Sequence, residues 1–174
     1  MLSLKPATEN NFSTIEKLAR IIWHKHYVQI VGEAQVNYML DKMYSHQALQ
    51  KQTEEGQQFY LVINDEKESG FVSISSSNQK DLMLHKFYIL QEKQNIGLGT
   101  LVFKEMVEEL YKPNTIRLTV NRQNYKSINF YFKVGFKIEK VADFDIGDGY
   151  FMNDFVMLWQ NCKHGIKIKK LLKR

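Results

Sequence analysis

The chain has 174 residues with a net charge of +5, the length of about one domain. With 44% hydrophobic and 25% charged residues, it is excluded from the disordered and low-complexity classes. Its single cysteine, Cys162, rules out an intramolecular disulfide and a Cys-rich zinc site. No apolar run approaches the ~20 residues of a membrane span. The polar stretch Met1 to Asn10 has no signal-peptide core, so a soluble cytoplasmic protein is expected, with no membrane partner. Six positive charges fall in Lys163 to Arg174, and removing them from +5 leaves the body at −1. The basic character therefore belongs to a tail, residues 163–174, beside a single domain of residues 1–162. No nucleic-acid face is expected from it.

Leu2 to Lys5 reads as a short strand ended by Pro6, with Thr8 or Asn10 able to cap the helix that follows. Ile15, Leu18 and Ile22 set a helical apolar stripe, and Val36, Met39, Leu40 and Met43 set a second from about Glu33. Ser45 is placed to cap a third helical piece ending near Gly56. The period then changes. Phe59–Ile63 and Gly70–Ser75 read as a hairpin, and Leu82 to Leu90 as a longer strand. Gly97 to Tyr111 turns helical, with Leu98, Leu101, Val102, Met106 and Leu110 expected on one face. Ile116–Val120 is a strand and Ser127 to Val134 a short helix stopped by Gly135. Phe136 to Val141 and Phe151 to Trp159 close the chain around a Gly147-Asp148-Gly149 turn. A strand–helix–strand unit inside an antiparallel meander predicts an α/β (α+β) fold: a mixed, mostly antiparallel sheet of six to seven strands flanked by helices.

The strand over Leu82–Leu90 runs into Gln94, Asn95, Ile96, Gly97, Leu98, Gly99 and Thr100, after which an amphipathic helix begins. Glycine lets main chain approach a ligand closely, and a helix start offers unpaired N–H groups to an anion. It is no P-loop, since no Gly-Lys-Ser/Thr follows, and no dinucleotide fingerprint, since the third glycine would fall at Val102. A plain tight turn uses the same glycines. A second constellation, Asn124-x-x-Ser127-x-x-Phe130-Tyr131-x-x-x-Gly135-Phe136, starts 25 residues beyond Gly99.

Gln94-x-x-Gly97-x-Gly99 together with that second run resembles the GCN5-related N-acetyltransferase (GNAT) family, and the order of elements agrees over nearly the whole chain. The resemblance implies acetyl-CoA as co-substrate, no metal, and direct acetyl transfer to a primary amine. It implies main-chain contacts to the pantetheine arm from Phe87, Tyr88 and Ile89. It places a pyrophosphate on the amides of Gln94, Asn95, Ile96, Gly97, Leu98, Gly99 and Thr100, and a cofactor contact at Asn124. Tyr131 would stand near the sulfur and protonate the leaving thiolate. Many family members carry a Glu on the strand before the glycines; His85 stands there here, as the base or as an ordinary strand histidine.

On the acceptor side, His24 and His26 lie two apart, which does not share a helix face, so a metal pair is not expected. The acids Asp143, Asp145 and Asp148 suit a cationic amine, or form a solvated loop. Tyr27–Tyr44 and Gly149–Met157 are similar to the PaiA-type spermidine/spermine acetyltransferases, which implies a polyamine or other small amine. A protein or peptide amine, an antibiotic amine and a non-catalytic CoA-binding module stay open as alternatives. Relatives often dimerise, so a homodimer is compatible with the resemblance.

Overall fold

A computed structural model of the protein describes residues 1–76, 78, 80–94 and 97–161. The expected basic tail, Cys162, Asn95 and Ile96 lie outside the described residues. Among those described, seven strands form one sheet in the order β1-β2-β3-β4-β5-β7-β6. These are β1 (Leu2–Pro6), β2 (Gln58–Asn64), β3 (Lys67–Ser76), β4 (Asp81–Ile89), β5 (Thr115–Asn121), β6 (Lys137–Gly147) and β7 (Tyr150–Gln160). Every neighbouring pair is antiparallel except β4 with β5, as the strand–helix–strand connection requires.

Helices cover both faces. On one side lie α1 (Phe12–His26), the short α2 (Val28–Val31), α3 (Glu33–Tyr44) and α4 (His46–Glu54). In α1, Phe12, Ile15, Leu18, Ala19, Ile22 and Trp23 are buried, the spacing of three and four that turns one face inward. They pack with Val36, Met39, Leu40 and Tyr44 of α3 and with Phe59, Leu61 and Phe71 of the sheet. Ser45 caps α4 as its position predicts, its Oγ accepting from the Ala48 N–H at 3.3 Å.

The opposite face carries α6 (Leu98–Lys104) and α7 (Tyr125–Lys133), while the short α5 (Gln91–Gln94) before them has Gln91 and Glu92 beside Ile22 and His26 of α1. The helix begun by α6 continues to Tyr111 as a wider π-type coil, in which the Lys112 N–H reaches back five residues to the Val107 carbonyl. Leu98, Val102, Phe103 and Met106 are buried there, whereas Leu101 is 52% and Leu110 41% exposed. The expected stripe is thus corrected: Leu98, Val102 and Met106 follow an i, i+4 line, and Leu101 and Leu110 fall off it. The helix α7 starts at Tyr125, two residues before the expected Ser127, because Asn124 is its N-cap, with Oδ1 accepting from the Ser127 N–H at 3.1 Å. The closing strands run longer than expected. As the sheet edge, β6 leaves residues 137–141 exposed, so it lacks the buried alternation by which strands are recognised.

What positions the site is the behaviour of β4. It pairs with β5 only over Asp81–Leu84, opposite Thr115–Leu118. Its pairing with β3 slips by one residue, Ser73 facing Lys86 but Ile74 facing Leu84, which leaves His85 as the extra residue of a bulge. A bulge bends its strand and adds twist. Beyond it β4 stays with β3 while β5 stays with β7, and a wedge opens between them. Gly70 of β3 lies against the departing strand. A Cβ there would collide with the Tyr88 carbonyl oxygen and touch Ile89. Gly70→Ala is therefore expected to destabilise the fold by about 1–3 kcal/mol, the range for forced overpacking, read as a lower midpoint in urea unfolding. An unchanged midpoint would show that β3 and β4 can separate there freely.

Candidate active site

The wedge opens into a cavity of about 380 Å³ that passes from the start of α6 to the α1–α3 layer. Leu90 N–H donates to the Ser69 carbonyl. Alternation along the antiparallel ladder then turns the main-chain groups of Lys86 and Tyr88 toward β3 and those of Phe87 toward the wedge. The side chains alternate too. Phe87 packs toward α7, its ring 5.5 Å from that of Phe130 and nearly parallel to it, while Tyr88 joins the aromatic layer under α1.

At the mouth, Gly97 has φ of +77° and nothing within 4 Å of where a Cβ would stand. The Gly97 carbonyl accepts from Thr100 N–H at 3.0 Å and from Leu101 N–H at 3.2 Å, closing the first turn of α6. Gly99 packs closely: a Cβ would lie 3.3 Å from the Phe130 ring. Glycine thus lets α6 and α7 approach each other beside the cavity. Lys126, Ser127, Phe130 and Lys133 of α7 line the same end. Lys126, Phe130 and Lys133 stand at i, i+4 and i+7, one face of the helix; their spacing carries that information, and the sequence reading did not use it.

Tyr131 is 8% exposed and lines the cavity. Burial raises its phenol well above the ordinary value, so it keeps its proton at neutral pH. His85 also lines the cavity, with Nε2 2.7 Å from the Ser75 Oγ. It is exposed toward the cleft, yet desolvation there, with the neighbouring Lys86 charge, pushes its pKa down to about 4. The imidazole is neutral under physiological conditions and a weak base.

The structure brings Tyr131, His85, Phe87, Tyr88, Ile89, Gly97, Gly99 and Thr100 around this one cavity. It does not bring Leu98, whose side chain is in the core. Nor does it bring Asn124, which is 1% exposed. Its Oδ1 lies 3.0 Å from His26 Nε2 and its Nδ2 donates to the Tyr27 hydroxyl at 3.1 Å, so it ties α7 to the end of α1. His26 accordingly bridges two helices, while His24 is exposed. Gln94 ends α5.

The acceptor end is walled by Trp23, Tyr27, Gln35 and Met39 from the helical layer and by Tyr88, Met152 and Asp154 from the sheet. Trp23 and Tyr27 stack with centroids 4.4 Å apart. Of the two readings of the acid row, the structure agrees with the solvated loop: Asp143 pairs with Arg122, Asp145 Oδ1 accepts from the Gly147 N–H at 2.8 Å, and Asp148 sits in the turn with φ of +52°. They belong to the edge strand and its turn, and none is among the residues lining the cavity. Asp154, which the sequence reading missed, is 5% exposed and does line it. Inside an alternating strand it carries no local mark. Its burial comes from β5 and β6, where it faces Asn121 and Ala142.

A model of the acetyltransferase (GNAT) domain matches residues 28–144. The chain belongs to the GNAT acetyltransferases. Along the sequence it is 24% identical to a spermidine N(1)-acetyltransferase of Thermoplasma acidophilum, over 90% of this chain and 95% of that one. It is 28% identical to an uncharacterized N-acetyltransferase of Mycobacterium tuberculosis, where the match spans 51% of this chain and only 58% of the relative's length. Among solved structures, the PaiA N-acetyltransferase of T. acidophilum in complex with coenzyme A superposes with a TM-score of 0.72 at 23% identity, over 92% and 99% of the two chains. Spermidine N-acetyltransferase of Vibrio cholerae, with CoA and spermine, gives 0.65 at 16% identity, over 91% and 95%. These likenesses establish the GNAT fold. No helix among the described residues is long and apolar enough to cross a membrane.

One buried cation lies just behind the cavity. Lys86 is 3% exposed, its Nζ donating to Gln52 Oε1 and, at 3.3 Å, to Gln57 Oε1, over the rings of Phe59 and Tyr44. Burial lowers its pKa from 10.5 to about 7. Between those values the unfolded chain binds the proton that the native state has released, so stability rises with pH across that window, by at most about 1.4 kcal/mol per pH unit. Lys86→Met removes this slope. In urea unfolding its advantage over the parent is expected to be largest near pH 6 and to shrink toward pH 9; an equal difference at both would show that Lys86 keeps its proton throughout.

Proposed function

We propose that the protein transfers an acetyl group from acetyl-CoA to the primary amine of a small cationic acceptor, a polyamine or a related amine, by direct attack. The observation that carries this reading is the continuity of the cavity. One passage joins the glycine-led start of α6, the wedge-facing main chain of Phe87, the buried phenol of Tyr131 and an aromatic acceptor end.

The residues at the mouth fit the co-substrate. Gly97 leaves its main chain uncovered, the first turn of a helix offers N–H groups without intrahelical acceptors, and Lys126 and Lys133 add positive charge for a phosphate-rich nucleotide. Bound there, acetyl-CoA supplies an activated acyl carbon on a thioester. The main-chain N–H of Phe87 faces the wedge, where a developing oxyanion would accept a hydrogen bond. Tyr131, kept protonated by burial, is suited to give its proton to departing sulfur. Polyamine preference draws support from the two spermidine acetyltransferases that the chain resembles.

The test has two parts. Isothermal titration with acetyl-CoA is expected to give a saturable heat at one site per chain, weakened roughly tenfold, about 1.4 kcal/mol, when Lys126 and Lys133 are both changed to Glu. Absence of heat for the parent would remove the co-substrate. Thiol release with spermidine, spermine, lysine peptides and aminoglycosides is expected to favour the polyamines; binding without release from any amine would point to a non-catalytic module. Tyr131→Phe is expected to lower kcat by ~10²-fold with acetyl-CoA affinity kept, the scale of a lost general acid. An unchanged kcat would exclude Tyr131 from proton delivery.

A further inference from the structure

Asp154 is the one carboxylate among the described residues that line the cavity, where the other ionisable side chains are histidines, lysines and tyrosines. It sits on β7 opposite Asn121 of β5. In that register its side chain shares the sheet face of Asn121 and Thr119, the face that looks toward α1 and α3. Arg122, the cation whose charge reaches Asp154, is engaged by Asp143 of β6, and no ion pair to Asp154 is found among the described residues. A buried acid without a cation is costly unless something else supplies the charge. The walls around it are aromatic: Trp23 and Tyr27 stack at the end of α1, and Tyr88 lies 6.4 Å from Tyr27 centroid to centroid. Aromatic faces with one carboxylate form a setting in which an alkylammonium is stabilised twice, by charge and by the ring quadrupoles.

Building on the acetyl-transfer reading, we infer that Asp154 is the catalytic residue that seats the acceptor's ammonium and removes its first proton before attack. The step balances. The ammonium gives one proton to the Asp154 carboxylate and becomes a neutral amine. Its nitrogen lone pair forms the bond to the acyl carbon, the carbon–sulfur bond breaks, and its electrons leave on sulfur. Sulfur takes the Tyr131 proton, the nitrogen returns one proton to Tyr131, and Asp154 releases its own to solvent. A neutral His85, held to Ser75 on the far side of the bulge, has no part in it.

The electrostatic surroundings agree. Desolvation pushes Asp154 up to about 6; Thr119 and Arg122 work against the rise and Asp143 adds to it. Tyr27, on the facing helix, is the other titratable group that interacts with it, and it stays protonated. Asp154 is then mostly ionised at neutral pH and a better base than an unburied carboxylate. The group protonates as pH falls through about 6, so kcat/KM for an amine should fall along that limb.

The experiment compares the parent with Asp154→Asn and Asp154→Glu, using spermidine as acceptor and thiol release as the readout. The Asn variant is expected to lose roughly 10²-fold or more in kcat/KM and to lose the acid limb near pH 6, while acetyl-CoA affinity by titration is kept, which also reports that the variant is folded. The Glu variant should recover part of the rate and an acid limb. An amine already neutral at the assay pH should lose much less than spermidine. If Asp154→Asn keeps both the rate and the acid limb, Asp154 is neither seat nor base and this inference falls alone. If the Asn variant loses acetyl-CoA affinity as well, and Glu restores nothing, its role is structural and the inference falls too. A parent that binds acetyl-CoA yet releases no thiol with any amine overturns the acetyl-transfer reading and this inference with it.

Discussion

Two parallel strands that begin as neighbours and then part are what the site depends on. Four residues of β4 pair with β5, and then His85 intrudes as an unmatched residue and the strands follow different partners. Parting exposes main-chain groups that a continuous sheet would consume, and the fold tolerates this because an open cleft runs between them where water or a ligand can pair with them. The same bulge changes the phase of the side chains. Leu82 and Leu84 lie on one core before it, and Phe87 and Ile89 return to that core after it. Were the strand regular, with His85 paired in register, Phe87 would turn toward α1 and Lys86 toward α7.

Packing then turns the wedge into a defined cavity. On one flank Phe87 stacks on Phe130, and Phe130 rests on Gly99, so β4, α6 and α7 are held through a single aromatic ring and the absence of a single Cβ. On the other flank Asn124 joins α7 to His26 and Tyr27. Across the top, Tyr38 donates to the Ile146 carbonyl at 2.7 Å and Gln35 to the Phe151 carbonyl at 3.0 Å, which fastens α3 over the β6–β7 hairpin. Each wall is thus carried by a contact between elements distant in sequence, so the cavity forms only with the complete sheet.

That distinction explains what the sequence made legible. The apolar lines of α1 and α3, the Ser45 cap and the hairpin strands are local patterns, read from spacing of two, three or four. The paired motifs around Gly97 and Asn124 indicated the family because they record tight backbone geometry. Asn124 itself showed the limit. Its motif position was legible, but its amide is occupied by His26, Tyr27 and the Ser127 N–H, partners that only folding supplies. The acid row left two readings open for the same reason. Three carboxylates close together in sequence look like a binding surface, yet Asp143 was already engaged by Arg122 and Asp145 by its own turn. Among the described residues, the single acid that lines the cavity, Asp154, stands alone in an otherwise ordinary strand.

The charges along the cavity are sorted by end. Lys126 and Lys133 stand at the mouth with the start of α6, and Asp154 lies at the aromatic interior. A polyanion entering the interior would meet the buried carboxylate among apolar and phenolic walls, with no lysine or arginine among the described residues that line that end to replace its water. A small polycation at the mouth would be repelled by the two lysines and held by nothing. One passage can therefore receive two ligands of opposite charge without either occupying the other's end. The point where their fields meet is the wedge beside Phe87 and Tyr131, and it is there that a deprotonated amine and an uncharged thioester would come together.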